Sequence, residues 1–351
     1  MKKTFTKLLL AGLICTLTWQ INPTKQVQAA EIAINEQNFP DEIFRKTVKD
    51  FDINHDGILS EQELQRVTKL EIDLRNVVQT EDGHYQQVNG ESIEGVEFFN
   101  NLDTVVVKSK LPVKGDLQKN RKLKIIYYDA YDLEPQDVSW EEIEKFFPLS
   151  QVEYFELENA PKITKITLPS TDKLKTFIVK KCEKVQEIDI KKAKKLKRFS
   201  VENTDVKKID LSKNCELTRL EVHSGEKGYW QQLRTDEWQD DYAFMPTKNK
   251  CKIIFPKKNK ISTLSCYTAD KQLDIRSCKK LKKLYVSQKT KIKCDTKWYK
   301  KNRKKLKLYA DSFLQNKPKK TIKKKTTILK LHEVYDANYR FVTESEIDGE
   351  T

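Results

Sequence analysis

Residues 52–63 read Asp-Ile-Asn-His-Asp-Gly-Ile-Leu-Ser-Glu-Gln-Glu. Oxygen-bearing side chains fall at positions 1, 3, 5, 9 and 12 of that stretch, and glycine falls at position 6. A hard divalent cation such as Ca²⁺ takes about six to eight oxygen ligands, and this spacing can supply them. Asp52, Asn54 and Asp56 are placed to turn inward on alternate positions. Gly57 permits a sharp turn that a Cβ resists. Ile58 offers its backbone carbonyl, Ser60 acts directly or through a water, and Glu63 is long enough to close the site with both oxygens. The competing reading is a polar turn between two helices with no ion. A full match to the pattern favours calcium.

A loop of this kind needs a helix on each side. Before it, Pro40 and Asp41 precede an apolar stripe of Ile43, Phe44, Val48 and Phe51. After it, residues 61–67 supply the outgoing helix, and Leu59 is placed to pack between the two. Only one such loop is visible, which points to weak affinity, in the range of extracellular modules.

The first thirty residues read as a targeting segment. Lys2, Lys3 and Lys7 precede an apolar run over residues 8–19, too short to span a bilayer, and small residues at Ala29 and Ala30 offer a cleavage site. The expectation is an exported chain, secreted or held at the cell surface and not membrane-spanning, with no wall-sorting pattern at its end. Six cysteines follow, at 182, 215, 251, 266, 278 and 294. Export permits disulfides. Several of these cysteines fall on repeat positions, which favours buried thiols.

Self-similarity reveals the repeat. Leu174-Lys-Thr-Phe177-Ile-Val179 returns 22 residues later as Leu196-Lys-Arg-Phe199-Ser-Val201, and 21 later again as Leu217-Thr-Arg-Leu220-Glu-Val222. Earlier copies are Leu102/Val105/Val107, Leu123/Ile126/Tyr128 and Val152/Phe155/Leu157, and a later one is Leu281/Leu284/Val286. This is the L-x-x-L-x-L frame of a leucine-rich repeat. A second apolar pair follows in each turn, as in Val185/Ile188/Ile190 and Val206/Ile209/Leu211. The expected fold is a β-rich leucine-rich-repeat solenoid whose second segments are short strands, extended pieces or 3₁₀ turns. The expected division is a signal peptide at 1–30, a helical cap at 31–69, a solenoid at 70–310, and a C-terminal cap or disordered tail at 311–351.

Two irregularities interrupt the frame. Ser139 and Glu142 form a capping-box pattern for a short helix inserted between coils. Leu217 and Leu281 are 64 residues apart, the length of about three coils, and the start of that stretch lacks the motif. This insert at 223–250 carries Tyr229, Trp230, Trp238, Tyr242 and Phe244 among polar residues. Its aromatics are candidates for stacking on sugar rings. Outward positions of the strands, such as Thr176, Ile178, Arg198, Ser200, Arg219 and Glu221, are candidates for contact with a protein partner.

Charge is divided sharply. Residues 31–150 hold 14 Lys and Arg against 25 Asp and Glu, a net of −11, whereas residues 161–330 hold 48 against 18, a net of +30. Lys191, Lys192, Lys194 and Lys195, then Lys213, then Arg276, Lys279 and Lys280 all map to one connecting edge of the repeat. A stacked basic ridge suits a linear polyanion and strongly salt-dependent binding. Nucleic acid is possible by the same physics, but export favours acidic glycan or teichoic acid.

Catalysis has little to stand on. Four histidines exist, at 55, 84, 223 and 332, with no Gly-rich phosphate loop, nucleophile-elbow pattern or paired-histidine motif. Glu141 and Glu142 are better read as helix-start charges. The expectation is a monomeric binding protein, not an enzyme, with Ca²⁺ as cofactor and an extracellular protein or acidic glycan as partner.

Three segments together carry a family likeness: Asn38-Phe39-Pro40-Asp41-Glu42-Ile43-Phe44-Arg45, Ile93-Glu94-Gly95-Val96-Glu97-Phe98-Phe99-Asn100-Asn101-Leu102, and Val206-Lys-Lys-Ile209-Asp-Leu211-Ser-Lys-Asn214. With the loop between the first two, residues 31–310 resemble the exported EF-hand-capped leucine-rich-repeat proteins of Gram-positive bacteria. The resemblance implies an adhesin- or internalin-like surface protein with a helical N-terminal cap. The chain departs from that pattern in its lysine content and in its weak repeats after Val222.

Overall fold

The computed structural model describes residues 31–79, 84–109, 113–130, 139–224, 230–233, 241–244, 249–287, 290–310, 313–314 and 318–331. Its backbone is one long sheet of eleven strands with a broken second layer behind it. Ten strands are parallel: β1 (Lys69–Asp73), β2 (Thr104–Lys108), β3 (Ile125–Asp129), β4 (Tyr154–Glu158), β5 (Thr176–Lys180), β6 (Arg198–Thr204), β7 (Arg219–Ser224), β8 (Thr263–Tyr267), β9 (Lys283–Val286) and β10 (Lys307–Ala310). The eleventh, Phe313–Leu314, turns back antiparallel on β10.

Register explains the repeat. Phe155, Phe177 and Phe199 are partners across β4, β5 and β6, and Leu220, Leu264 and Leu284 continue the same column. Each of these six side chains is wholly buried. The three rings lie in a file, 6.0 Å apart at 8° and 5.8 Å apart at 13°. A second buried column runs through Leu157, Val179, Val201, Val222 and Cys266. Strands with side chains of period two can bury one face in this way only if the register is fixed.

The return path of each coil varies. Four coils return through short parallel strands, Lys165–Thr167, Glu187–Asp189, Lys208–Asp210 and Lys252–Ile254, which form a second sheet. Earlier coils use 3₁₀ turns at Val96–Phe98 and Leu117–Lys119. The turns between layers leave backbone carbonyls without ladder partners, and asparagine fills that need. The Asn214 amide donates to the carbonyls of Ile190 and Ala193, both at 2.9 Å. Asn120 does the same for Val96 and Phe99 at 3.0 and 3.1 Å. Buried carbonyls left unpaired would cost stability.

At the N-terminus, helices α1 (Glu42–Lys49) and α2 (Glu61–Arg66) cover the open end of the first coil. Asp41 caps α1 through Phe44 N–H at 3.0 Å, and its other oxygen accepts from Glu91 N–H at 2.8 Å. Phe39 packs edge-on against Phe44 and Phe98, and Phe51 against Phe99. Gly95 sits at φ +98, where a Cβ would lie 2.4 Å from the Asn38 carbonyl oxygen. The two N-terminal segments that carry the family likeness are therefore the two sides of one interface.

Three features differ from the sequence reading. The helix predicted between coils, α3 (Trp140–Phe146), is the return segment of the coil from β3 to β4, capped by Ser139 with Glu142 as expected. Trp140 seals it by donating to the Thr167 carbonyl at 2.9 Å. The 64 residues from Leu217 to Leu281 make two coil steps, because β7 pairs directly with β8 and β8 with β9. The insert is looped out of one enlarged coil, so a length divided by the repeat period overcounted. The pair Arg75–Gln79 and Tyr85–Asn89 forms an antiparallel hairpin that the sequence reading missed.

Removing one ring from the central file tests the packing. Phe177→Ala should cost about 3–5 kcal/mol, since a wholly buried ring leaves a cavity. Urea unfolding followed by circular dichroism measures it, and a loss near zero would contradict the stacked core.

Candidate functional site

Three regions of the molecule could carry function: the acidic loop, the outer face of the long sheet and the lysine-rich turns.

The acidic loop runs from Asp52 to Glu63 between α1 and α2. Gly57 has φ +80 and His55 φ +59, which fold the chain tightly on itself. Asp52 and Glu63 are nearly buried. Asp52 accepts from the N–H of Gly57 at 2.8 Å and of Asp56 at 3.2 Å. Asp56 accepts from Ile58 N–H at 2.8 Å, and Asn54 Oδ1 from Asp56 N–H at 3.1 Å. One Glu63 oxygen accepts from Ile53 N–H at 2.8 Å, and the other from Ser60 N–H at 2.9 Å and the Ser60 hydroxyl at 2.7 Å. The Ser60 bonds, followed by that from Ile53, hold the Glu63 carboxyl at about 2, below the usual carboxylate range. Asp52, Asp56 and Glu63 have no ion pair with lysine or arginine among the described residues.

No three His, Cys, Asp or Glu side chains among the described residues meet closely enough to hold a metal on their own. Here the acids are tied by backbone N–H groups, and the set of six includes Asn54, Ser60 and the Ile58 carbonyl. All are hard oxygen donors with net negative charge, the kind of set that Ca²⁺ takes. The edge of the loop strand Ile58–Leu59 is paired by the chain's own Ile32–Ala33, antiparallel. The single loop therefore does not leave its strand edge open.

Along the long sheet, outward side chains stand in three rows. The middle row runs Tyr127, Glu156, Ile178, Ser200, Glu221, Ser265, Tyr285. Its centre is closed: Ile178 is 3% exposed, Ser200 0% and Glu221 8%, although the alternation of the strands predicted open positions. Part of that cover comes from the flanking rows. Arg198 and Arg219 both reach Glu221, at 3.0 and 2.7 Å, and Lys180 reaches Glu156 at 2.9 Å. Burial pushes the Glu221 carboxyl up, but the two guanidiniums outweigh it and hold the group below the ordinary carboxylate range. Aromatics gather at two places on the face, on β3 and β4 and on the last two parallel strands. Tyr127 lies against Tyr154 with centroids 4.9 Å apart, and Tyr285 stacks on Tyr309 at 4.5 Å and 7°.

The predicted basic ridge lies on the turns that lead from the return strands into the long sheet. Lys194, Lys195, Lys213, Arg276, Lys279 and Lys280 are all exposed there. Sequence reading missed its acidic counterpart. Asp189, Asp210 and Asp274 each end a return strand and accept from the backbone N–H two residues on, at 3.0, 3.0 and 3.1 Å. Two of these carboxylates also meet the ridge: Asp210 pairs with Lys191 at 3.4 Å and Asp274 with Arg276 at 2.7 Å. Lys279 pairs with Asp295 at 3.1 Å. The recurring Asp-(Ile/Leu)-x-x-(Ala/Asn/Cys) pattern at 189, 210 and 274 was the available signal.

Tyr229 and Trp238 of the aromatic insert lie outside the described residues, as do residues 1–30. Trp230 opens an antiparallel ribbon, Trp230–Leu233 with Asp241–Phe244. No helix of the described residues is long and apolar enough to cross a membrane.

No protein-family model matches the chain, and no curated protein matches it. Among solved structures it is similar to the functional domain of InlJ from Listeria monocytogenes, described as including a cysteine ladder, at 14% identity, over 76% of this chain and 77% of that one, with TM-score 0.24. It is also similar to internalin C2 from Listeria monocytogenes at 16% identity, over 54% of this chain and 86% of that one, with TM-score 0.32. The fold assignment rests on the strand register described above.

The six cysteines among the described residues are free thiols, five buried and Cys215 exposed. Burial pushes Cys182, Cys266, Cys278 and Cys294 up to about 12. Maleimide at about pH 8 should therefore label Cys215 alone among these six in the native protein from residue 31, and the others only after denaturation. Mass spectrometry of the labelled protein checks this, and native labelling of Cys182 or Cys266 would contradict the packing.

Proposed function

We propose that this protein is an exported recognition solenoid. Its long sheet binds an extracellular protein partner, and its N-terminal cap is locked by a calcium ion in the loop at 52–63. One observation carries the reading: ten parallel strands in register hold outward side chains in straight rows on a rigid, wholly packed core. Solenoids offer extended surfaces of this kind for binding.

The composition of the rows favours protein over polyanion. Acids and bases interleave, as in Asp73, Lys108, Asp129, Glu158 and Lys180 along one row. Tyrosine and arginine, the residue types enriched at protein-binding hot spots, lie beside them. The arginine–glutamate forks on Glu221 fix side chains in advance, which lowers the ordering cost of binding.

On the calcium side, Asp52, Asn54, Asp56, Ser60, Glu63 and the Ile58 carbonyl would hold the ion. The ion would neutralise clustered acids that have no basic partner among the described residues. Loop and helices then bind as one piece to Phe98, Phe99 and Glu91 of the first coil.

The face can be tested directly. The chain from residue 31 is screened against arrayed extracellular and cell-surface proteins, with Tyr127→Ala/Tyr309→Ala as the face variant and Lys165→Ala/Lys208→Ala as a control on the second sheet. Loss of a hot-spot tyrosine should weaken a genuine partner about tenfold or more. A partner that tolerates the face variant and is lost with the control would contradict the reading.

A further inference from the structure

Acids meet the ridge at Lys191, Arg276 and Lys279, but the far end of the solenoid has few acids to offer. Residues 271–330 hold 23 Lys and Arg against 3 Asp and Glu, a net of +20, while the whole chain carries +15. The last coils therefore carry more net positive charge than the whole chain, and the remainder nets −5.

The fold draws two basic elements of that region together. The first is α4 (Thr296–Asn302), whose Lys297, Lys300 and Lys301 are exposed, followed by the exposed run Arg303-Lys304-Lys305. The second is a hairpin, Lys319–Lys323 with Thr326–Lys330, which extends the return layer antiparallel to Lys291–Asp295. The hairpin turn touches the start of α4: Thr296 N–H donates to the Lys325 carbonyl at 3.0 Å, and the Thr327 hydroxyl donates to that of Thr296 at 2.9 Å. Lys323, Lys324 and Lys325 at the turn are all exposed. None of these lysines has an ion pair among the described residues. Beside them lies an open groove of about 470 Å³, lined by Lys279, Asp295, Lys297, Trp298, Lys301 and Asn302.

We propose that α4, the run 303–305 and the hairpin turn 323–325 form a docking surface for a linear chain of closely spaced sulfate or phosphate groups that carries no bases. Charge at this density draws a polyanion through counterion release. The residue types specify the class further. The cations are lysines with one arginine, compact point charges rather than planar forks that read a bidentate partner. The aromatics are turned away: Trp298 is 9% exposed with its indole N–H on the Lys279 carbonyl, and Tyr299 is 8% exposed. Bases would therefore find no stacking platform on α4. Lysines on an edge strand also prevent edge-to-edge pairing. That role explains Lys319, Lys320 and Lys323 but not α4, residues 303–305 or the turn residues Lys324 and Lys325. The proposal uses a surface separate from the long-sheet face and the calcium loop, and it stands or falls apart from them.

The test is binding of the full exported chain to a heparin-derived oligosaccharide, to inorganic polyphosphate and to poly(dT) across a salt series. The variant is Lys300→Ala/Lys301→Ala/Lys304→Ala/Lys324→Ala. The control is Lys173→Ala/Lys184→Ala/Lys192→Ala/Lys194→Ala, the same charge change in other coils, and thermal melts confirm that both fold. The expected result is tight low-salt binding to a base-free polyanion. The variant should weaken it at least about tenfold and flatten the log–log salt slope by about 3, with the control near wild type. Loss confined to the sulfated or the phosphate polymer identifies the source of the oxyanion. Equal loss in both variants, no polyanion binding at low salt, or tightest binding to poly(dT) would overturn the proposal.

Discussion

The parallel backbone ladder is the constraint on which everything else depends. Each strand of the long sheet fixes the height and phase of the next, so the side chain at one inward position must fit over its counterpart one coil away. Phe155, Phe177 and Phe199 meet that condition as a file of near-parallel rings. Leu220, Leu264 and Leu284 meet it with smaller side chains farther along. Because the core is a column, outward residues become rows, and the connecting turns become edges. A face of outward rows and a charged edge are thus consequences of one register.

A column has two ends, and exposed apolar ends and strand edges must be covered. The chain solves the two ends differently. At the start, a helix–loop–helix lies over β1, tied down by Asp41 and a cluster of phenylalanines. At the finish, Phe313–Leu314 turns back on β10 and a lysine-rich hairpin extends the return layer. One end is acidic and the other strongly basic, so the solenoid is polar along its length as well as across it.

The sequence made the column legible because leucine and phenylalanine recur at 21- and 22-residue intervals in the middle coils. The capping box of α3 was visible for the same kind of reason, since Ser139 and Glu142 act locally. Long-range geometry was not visible. Nothing in the spacing of Arg75 to Asn89 sets a hairpin apart from another coil. Nor does a distance of 64 residues reveal that β7 and β8 are neighbours. The ridge cations share one edge as a consequence of the repeat, but the pairing of Lys191 was missed because Asp210 meets it only through stacking of adjacent coils. Likewise, Ser200 and Glu221 looked open because alternation predicts direction and not cover. The oxygen pattern of the loop at 52–63 was fully legible, and the packing that couples it to the first coil was not.

The proposed role of the loop at 52–63 is that bound calcium would tighten it and the first coils into one unit. Amide hydrogen exchange with and without calcium, on wild type and Glu63→Gln, tests this most directly. The account predicts that calcium slows exchange in the loop and also in residues 39–51, 91–102 and β1, and that Glu63→Gln abolishes the effect. Unchanged exchange in wild type, or slowing confined to residues 52–63, would contradict it.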